Sequence, residues 1–318
     1  RTQNLNGPAQ AGPFAFRLGF KSWMRTQRWI SLRPNPPYVF AMTQKTIIGL
    51  HPSHRDDIAD LVTRRPVPGP KISQVDPFLF LNHHGPQIYP QNNRGLPFGP
   101  HPHRGFETVT FILEGELMHR DSGGHESVIR AGGVQWMTAG SGLVHAELSP
   151  DAFKRVGGPL EILQLWVNLP ARLKMTAPRY QGLQVDRIPS VAAAGGKARV
   201  HLISGEWGGA TGPVESITGN FMTTIEAEAG AHLDFDGLEQ RSVFLYVVSG
   251  NVRIGGREVA PHTLVELDLA GGELSIESVS AARLLFGHGD PINEPVVAHG
   301  PFVMNTVDEI RQAIADYQ

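Results

Sequence analysis

Short runs of apolar and β-branched residues, each closed by Gly or Pro, recur along the chain from about Lys71 onward. Phe106 to Leu113 (FETVTFIL) crowds Val, Ile, Thr and Phe into eight positions and predicts a strand. Gly115 marks the turn, and Glu116 to Arg120 is the return strand. Gln135 to Thr138 predicts another strand, and Leu160 to Asn168 (LEILQLWVN) is the most hydrophobic strand of this half, ended by Pro170. Ser242 to Val248, a Ser249-Gly250 turn and Asn251 to Ile254 repeat the pattern of strand, glycine turn and strand. Setting Gly250 on Gly115 aligns the halves and predicts two packed antiparallel β-sandwich barrels in an all-β chain. Val307 to Tyr317 carries Ile310, Ile314 and Tyr317 at helical spacing with acids early in the run, which predicts a C-terminal amphipathic helix.

Composition narrows the chemistry. The 36 Gly and 25 Pro residues argue against a helical bundle. No apolar run is long enough for a membrane-spanning helix. Cys is absent, which removes disulfides, thiolate metal sites and a cysteine nucleophile. Six of the 28 basic residues and none of the 30 acidic ones fall in residues 1–41, leaving 22 basic against 30 acidic in the remainder. So acidic a body is a poor nucleic-acid binder. The leader is read as non-native or disordered sequence ahead of a native start at Met42, in preference to an organellar transit peptide. The chain from Met42 is expected to be cytoplasmic and monomeric.

The candidate chemistry lies in two paired motifs. His101-Pro102-His103 precedes the strand at Phe106, and His145-Ala146-Glu147 follows the strand ending near Thr138. Residues i and i+2 of a strand share a face, so both pairs can aim two ligands into one barrel. Three imidazoles and a carboxylate suit a first-row divalent metal, Fe(II) above all, with two coordination positions left open. Gly99, Gly140 and Gly142 beside the motifs fit turns at a barrel mouth. Glu107 is expected to face away or to orient an imidazole. His83 and His84 are read as loop or surface residues, His119 as isolated, and Trp136, Phe106 and Phe111 as core. At the repeat offset His101 and His103 fall on Asp236 and Leu238, so one metal per chain is expected. No nucleophilic triad, phosphate loop or dinucleotide fingerprint is present.

The motifs HPHRGFETV from His101, QWMTAG from Gln135, HAE from His145, QLWVNLP from Gln164, KMTAPRYQ from Lys174 and GPFVMNT from Gly300 resemble the pirin family. The resemblance runs from about Lys71 to the end of the chain. It implies a bicupin: an N-terminal metal-binding cupin domain over 42–170, a connector over 171–190, and a C-terminal cupin domain without metal over 191–318. It further implies Fe held by His101, His103, His145 and Glu147, with Glu147 rather than Glu107 as the carboxylate ligand. The activity implied is a quercetin 2,3-dioxygenase-like opening of a flavonol, or another small aromatic enol, by dioxygen, with Glu147 as general base. The alternative implied is a non-catalytic, iron- and redox-responsive regulator that binds a transcription factor or metabolic enzyme. Two features depart from the family pattern: the basic leader, and the end at Gln318, where many members carry a further basic segment.

Overall fold

The computed structural model describes residues 43–318, and the basic leader over 1–41 lies outside them. Each half pairs a seven-stranded sheet with a four-stranded one. In the first half the large sheet runs Arg179–Leu183, Val134–Thr138, Phe106–Glu114, Gly158–Asn168, Phe78–Tyr89, Thr63–Val67 and His54–Arg55. Its small sheet runs Phe98–His103, Leu143–Leu148, Glu116–Asp121 and Glu126–Arg130. All these pairings are antiparallel. The second half repeats the plan around Ser242–Ser249 and Ala282–Gly289, and Val307–Tyr317 is a helix.

Strand alternation decides what each barrel encloses. On Phe106–Glu114, Val109 and Phe111 join a buried cluster with Phe244 and Tyr246 of the second half. Ile112 instead packs with Leu117 and Ile129 of the small sheet. The odd positions therefore cement one barrel to the other, and the even positions line the first barrel's interior. At the repeat offset Thr108 and Thr110 correspond to Val243 and Leu245, both in the second barrel's hydrocarbon core. The first barrel has a polar lining where the second has an apolar one.

Strand pairing exchanges segments between the halves. Ile47–Pro52 pairs with Thr263–Leu267 and so belongs to the second half's large sheet. Arg179–Leu183, inside the expected connector, is an edge strand of the first. The C-terminal segment returns to the first half, where Arg104 bridges to Phe302. An exposed sheet edge leaves backbone donors and acceptors unpaired, and a strand from the opposite half satisfies them. The loop or surface reading of His83 and His84 is corrected: they lie on the strand Phe78–Tyr89 and are fully buried. His83 donates to Glu161 (2.9 Å) and accepts from the Tyr246 hydroxyl (3.0 Å), so it is a polar tie between barrels. Among the described residues no helix is long and apolar enough to cross a membrane.

Candidate metal centre

The strand Phe98–His103 is the edge of the small sheet, which is why it tolerates Pro100 and Pro102. It pairs with Leu143–Leu148 so that His101 stands opposite His145. His101, His103 and His145 each bring a ring nitrogen to within 4.8 Å of the other two. Their rings lie 4.4 Å (His101 and His145), 4.8 Å (His101 and His103) and 5.0 Å (His103 and His145) apart, centre to centre. Among the described residues this is the one cluster of such donors.

Hydrogen bonds aim the rings. His101 Nδ1 donates to the Gly99 carbonyl (2.7 Å) and His103 Nδ1 to the Pro301 carbonyl (3.1 Å). A donating Nδ1–H leaves Nε2 with its lone pair free, the arrangement in which metal-bound imidazoles are usually held. His145 is buried with no partner at either ring nitrogen. Facing two other imidazoles, its free nitrogens complete a set of three donors that could hold a metal ion. Burial, reinforced by the neighbouring His101, holds His103 down at about 3, and burial beside His103 and His101 pushes His145 far below the ordinary imidazole range. Both rings are therefore neutral, as coordination requires. The donor set and its geometry fit a first-row divalent metal.

Glu147 stands one alternation along from His145 but outside the cluster of three nitrogens. One carboxylate oxygen accepts from Thr110 Oγ1 (3.0 Å) and the other from the Gln164 side-chain amide. Both partners come from the large sheet across the barrel. Burial pushes the Glu147 carboxyl up, against the opposing pull of His101, Thr110 and Gln164. Glu107 faces the other way: it accepts from Thr138 Oγ1 (2.7 Å) and lines a cavity of about 150 Å³ that also includes Val214 and Glu215.

Several residues join the site that sequence reasoning set aside. His119 is not isolated. It pairs across the sheet with Glu147, donates to Asp121 (2.9 Å), stacks on Tyr180 at 3.9 Å and lies 5.4 Å from His145. Phe106 and Trp166 close the opposite side, their rings 5.0 and 5.4 Å from His103. Trp136 and Phe111 are core, as expected. Thr110 and Gln164 were in plain view, but which strand face points inward is visible only once the barrel is assembled.

Two cupin barrels in one chain, the first lined with inward-facing histidines and the second with hydrocarbon, make this a bicupin. The pirin family description matches residues 60–167, and that of the pirin C-terminal cupin domain matches 222–318. The chain is 41% identical to a pirin-like protein of Caulobacter vibrioides over 253 residues, covering 78% of this chain and 88% of the relative. It is 37% identical to human pirin over 264 residues, covering 80% and 86%. The crystal structure of a quercetin 2,3-dioxygenase from Acinetobacter baumannii superposes with a TM-score of 0.81 at 33% identity, covering 86% of this chain and 96% of that one. The chain belongs to the pirin family.

Proposed function

We propose that this protein is an iron(II)-dependent dioxygenase that opens a flavonol such as quercetin, with His101, His103, His145 and Glu147 holding the metal. The observation that carries the reading is His145, buried with two unpartnered ring nitrogens and facing two imidazoles whose Nδ1–H groups are already engaged. The likeness to the Acinetobacter quercetin 2,3-dioxygenase supports the substrate class.

When bound, the metal supplies the electron exchange that lets dioxygen react with an activated enol. The chain's residues do the rest. His103 and His145, kept neutral by burial, present lone pairs rather than charge. Glu147 accepts the proton of the substrate's 3-hydroxyl at the oxygen that Gln164 holds, and its raised pKa makes it a stronger base than an exposed carboxylate. Thr110 keeps the other oxygen in place during that transfer. Phe106 and Trp166 exclude water from the His103 side. In the net reaction both atoms of dioxygen enter the opened product and one ring carbon leaves as carbon monoxide.

The test is anaerobic loading of the full chain with Fe(II), followed by quercetin and air, with carbon monoxide measured. Glu147→Gln should lower kcat by about 100-fold or more, the range of a lost general base. Iron bound without carbon monoxide would replace the enzyme with a redox-responsive binding protein.

A further inference from the structure

We propose that the C-terminal segment is a positioning element of the metal centre, so that detaching it weakens metal binding although it contributes no ligand. The inference rests on the metal reading above. The segment comprises the hairpin Val297–His299 and Phe302–Met304 and the helix Val307–Tyr317. It is connected to the second half of the sequence, yet it is built onto the first barrel beside His103.

Four contacts tie it there. The Pro301 carbonyl accepts from His103 Nδ1 (3.1 Å), which fixes the ring's tautomer and turns Nε2 toward the other imidazoles. Val303 N–H donates to the Arg104 carbonyl (3.0 Å), one residue beyond the ligand. The buried ammonium of Lys174 gathers the carbonyls of Val303 (3.1 Å) and Gly105 (2.9 Å) together with Asn168 Oδ1 (2.7 Å). At the helix end, Asp316 accepts from the Arg104 guanidinium (2.7 Å). Packing follows the same line: Val303 clusters with Leu79 and Phe106, and the Phe106 ring lies against His103.

The segment is also held to its own shape. Phe302, Met304, Ile310 and Ala313 form a small core. Thr306 and Glu309 make a reciprocal capping box at the helix start. A rigid element that hydrogen-bonds a ligand's second nitrogen restricts the ring to its binding orientation before the metal arrives. Loss of such a bond typically costs 10–100-fold in metal affinity. Gly105 shows how closely the two segments approach, since at φ +87° a Cβ there would collide with the Val303 carbonyl.

The experiment titrates the full chain with Co(II) and reads its visible spectrum and dissociation constant. In parallel, nitrogen-15 NMR of the metal-free protein reads the His103 tautomer. Val303→Pro deletes the N–H that bonds Arg104 and should raise the Co(II) Kd by about 10-fold or more. Asp316→Ala should raise it by about 3-fold, and both should move His103 away from the pure Nδ1–H form. Asp290→Ala, which breaks an ion pair in the second half, should change neither readout. If Val303→Pro fails to fold, Asp316→Ala and the tautomer decide. Wild-type binding with unchanged Kd and tautomer in the folded variants would overturn the positioning role alone. A wild-type chain that takes up no Co(II) would instead remove the metal reading beneath it.

Discussion

His84 and His145 show how one residue type, buried in one barrel, meets two fates. His145 has no partner on either nitrogen, whereas His84 bonds Thr63 Oγ1 through Nδ1 (2.9 Å) and packs against Phe98. Burial, with lesser effects from His83 and Arg65, holds His84 down at about 3, against an ordinary value near 6.5. Below pH 6.5 the unfolded chain binds this proton and the folded chain does not. The stabilisation is complete above pH 6.5 and is lost as the pH falls toward 3, at about 1.4 kcal/mol per pH unit. Urea denaturation of the metal-free protein should therefore show a lower midpoint at pH 5.5 than at pH 7.5, and replacing His84 by Gln should reduce that difference. That His101, His103 and His145 could converge was legible in the sequence because alternation places i and i+2 on one face. The surroundings were not: His119, Thr110, Gln164 and Trp166 reach the site from three other strands, and their spacing from His101 carries no periodicity.

The glycine turns were legible for a different reason. Gly115 and Gly250 sit at the same place in the two halves, with φ of +82° and +74°. A Cβ on either would strike a backbone carbonyl of a neighbouring segment, that of Pro159 or of Ala281. Gly115→Ala and Gly250→Ala should each destabilise the protein by about 1–3 kcal/mol, the usual cost of backbone strain, in thermal or urea unfolding. Equal behaviour at the two sites would be the energetic counterpart of the repeat. The predicted strands Phe106 to Leu113 and Leu160 to Asn168 match the observed Phe106–Glu114 and Gly158–Asn168 closely, and the helix Val307–Tyr317 is found as predicted. These segments carry their own signal in period and turn chemistry. Strand partners carry none, and so nothing local in Ile47–Pro52 announces that it completes the second barrel.

That exchange of segments sets the behaviour of the whole molecule. An early strand lies in the second barrel, the last helix lies on the first, and the two large sheets share a buried cluster that includes Phe78, Val109, Phe111, Phe244 and Tyr246. The rings of Phe78 and Phe244 meet at 5.2 Å across the junction. Halves joined in this way should unfold in one transition rather than two. Phe244→Ala should cost about 3–5 kcal/mol and lower the stability of both barrels together, read by calorimetry. Two separate transitions would show that the shared cluster does not couple them. The same coupling makes the arrangement of the three histidines a property of the full chain, because the Pro301 carbonyl that holds His103 comes from nearly two hundred residues away.

The most direct measurement is the metal content and iron X-ray absorption of the full chain after anaerobic loading with Fe(II), beside His145→Ala. One iron per chain, a first coordination sphere containing three imidazoles and oxygen donors, and loss of that iron in His145→Ala is the expected result. No bound iron, or iron retained unchanged without His145, would contradict the assignment of the first barrel as a metal centre.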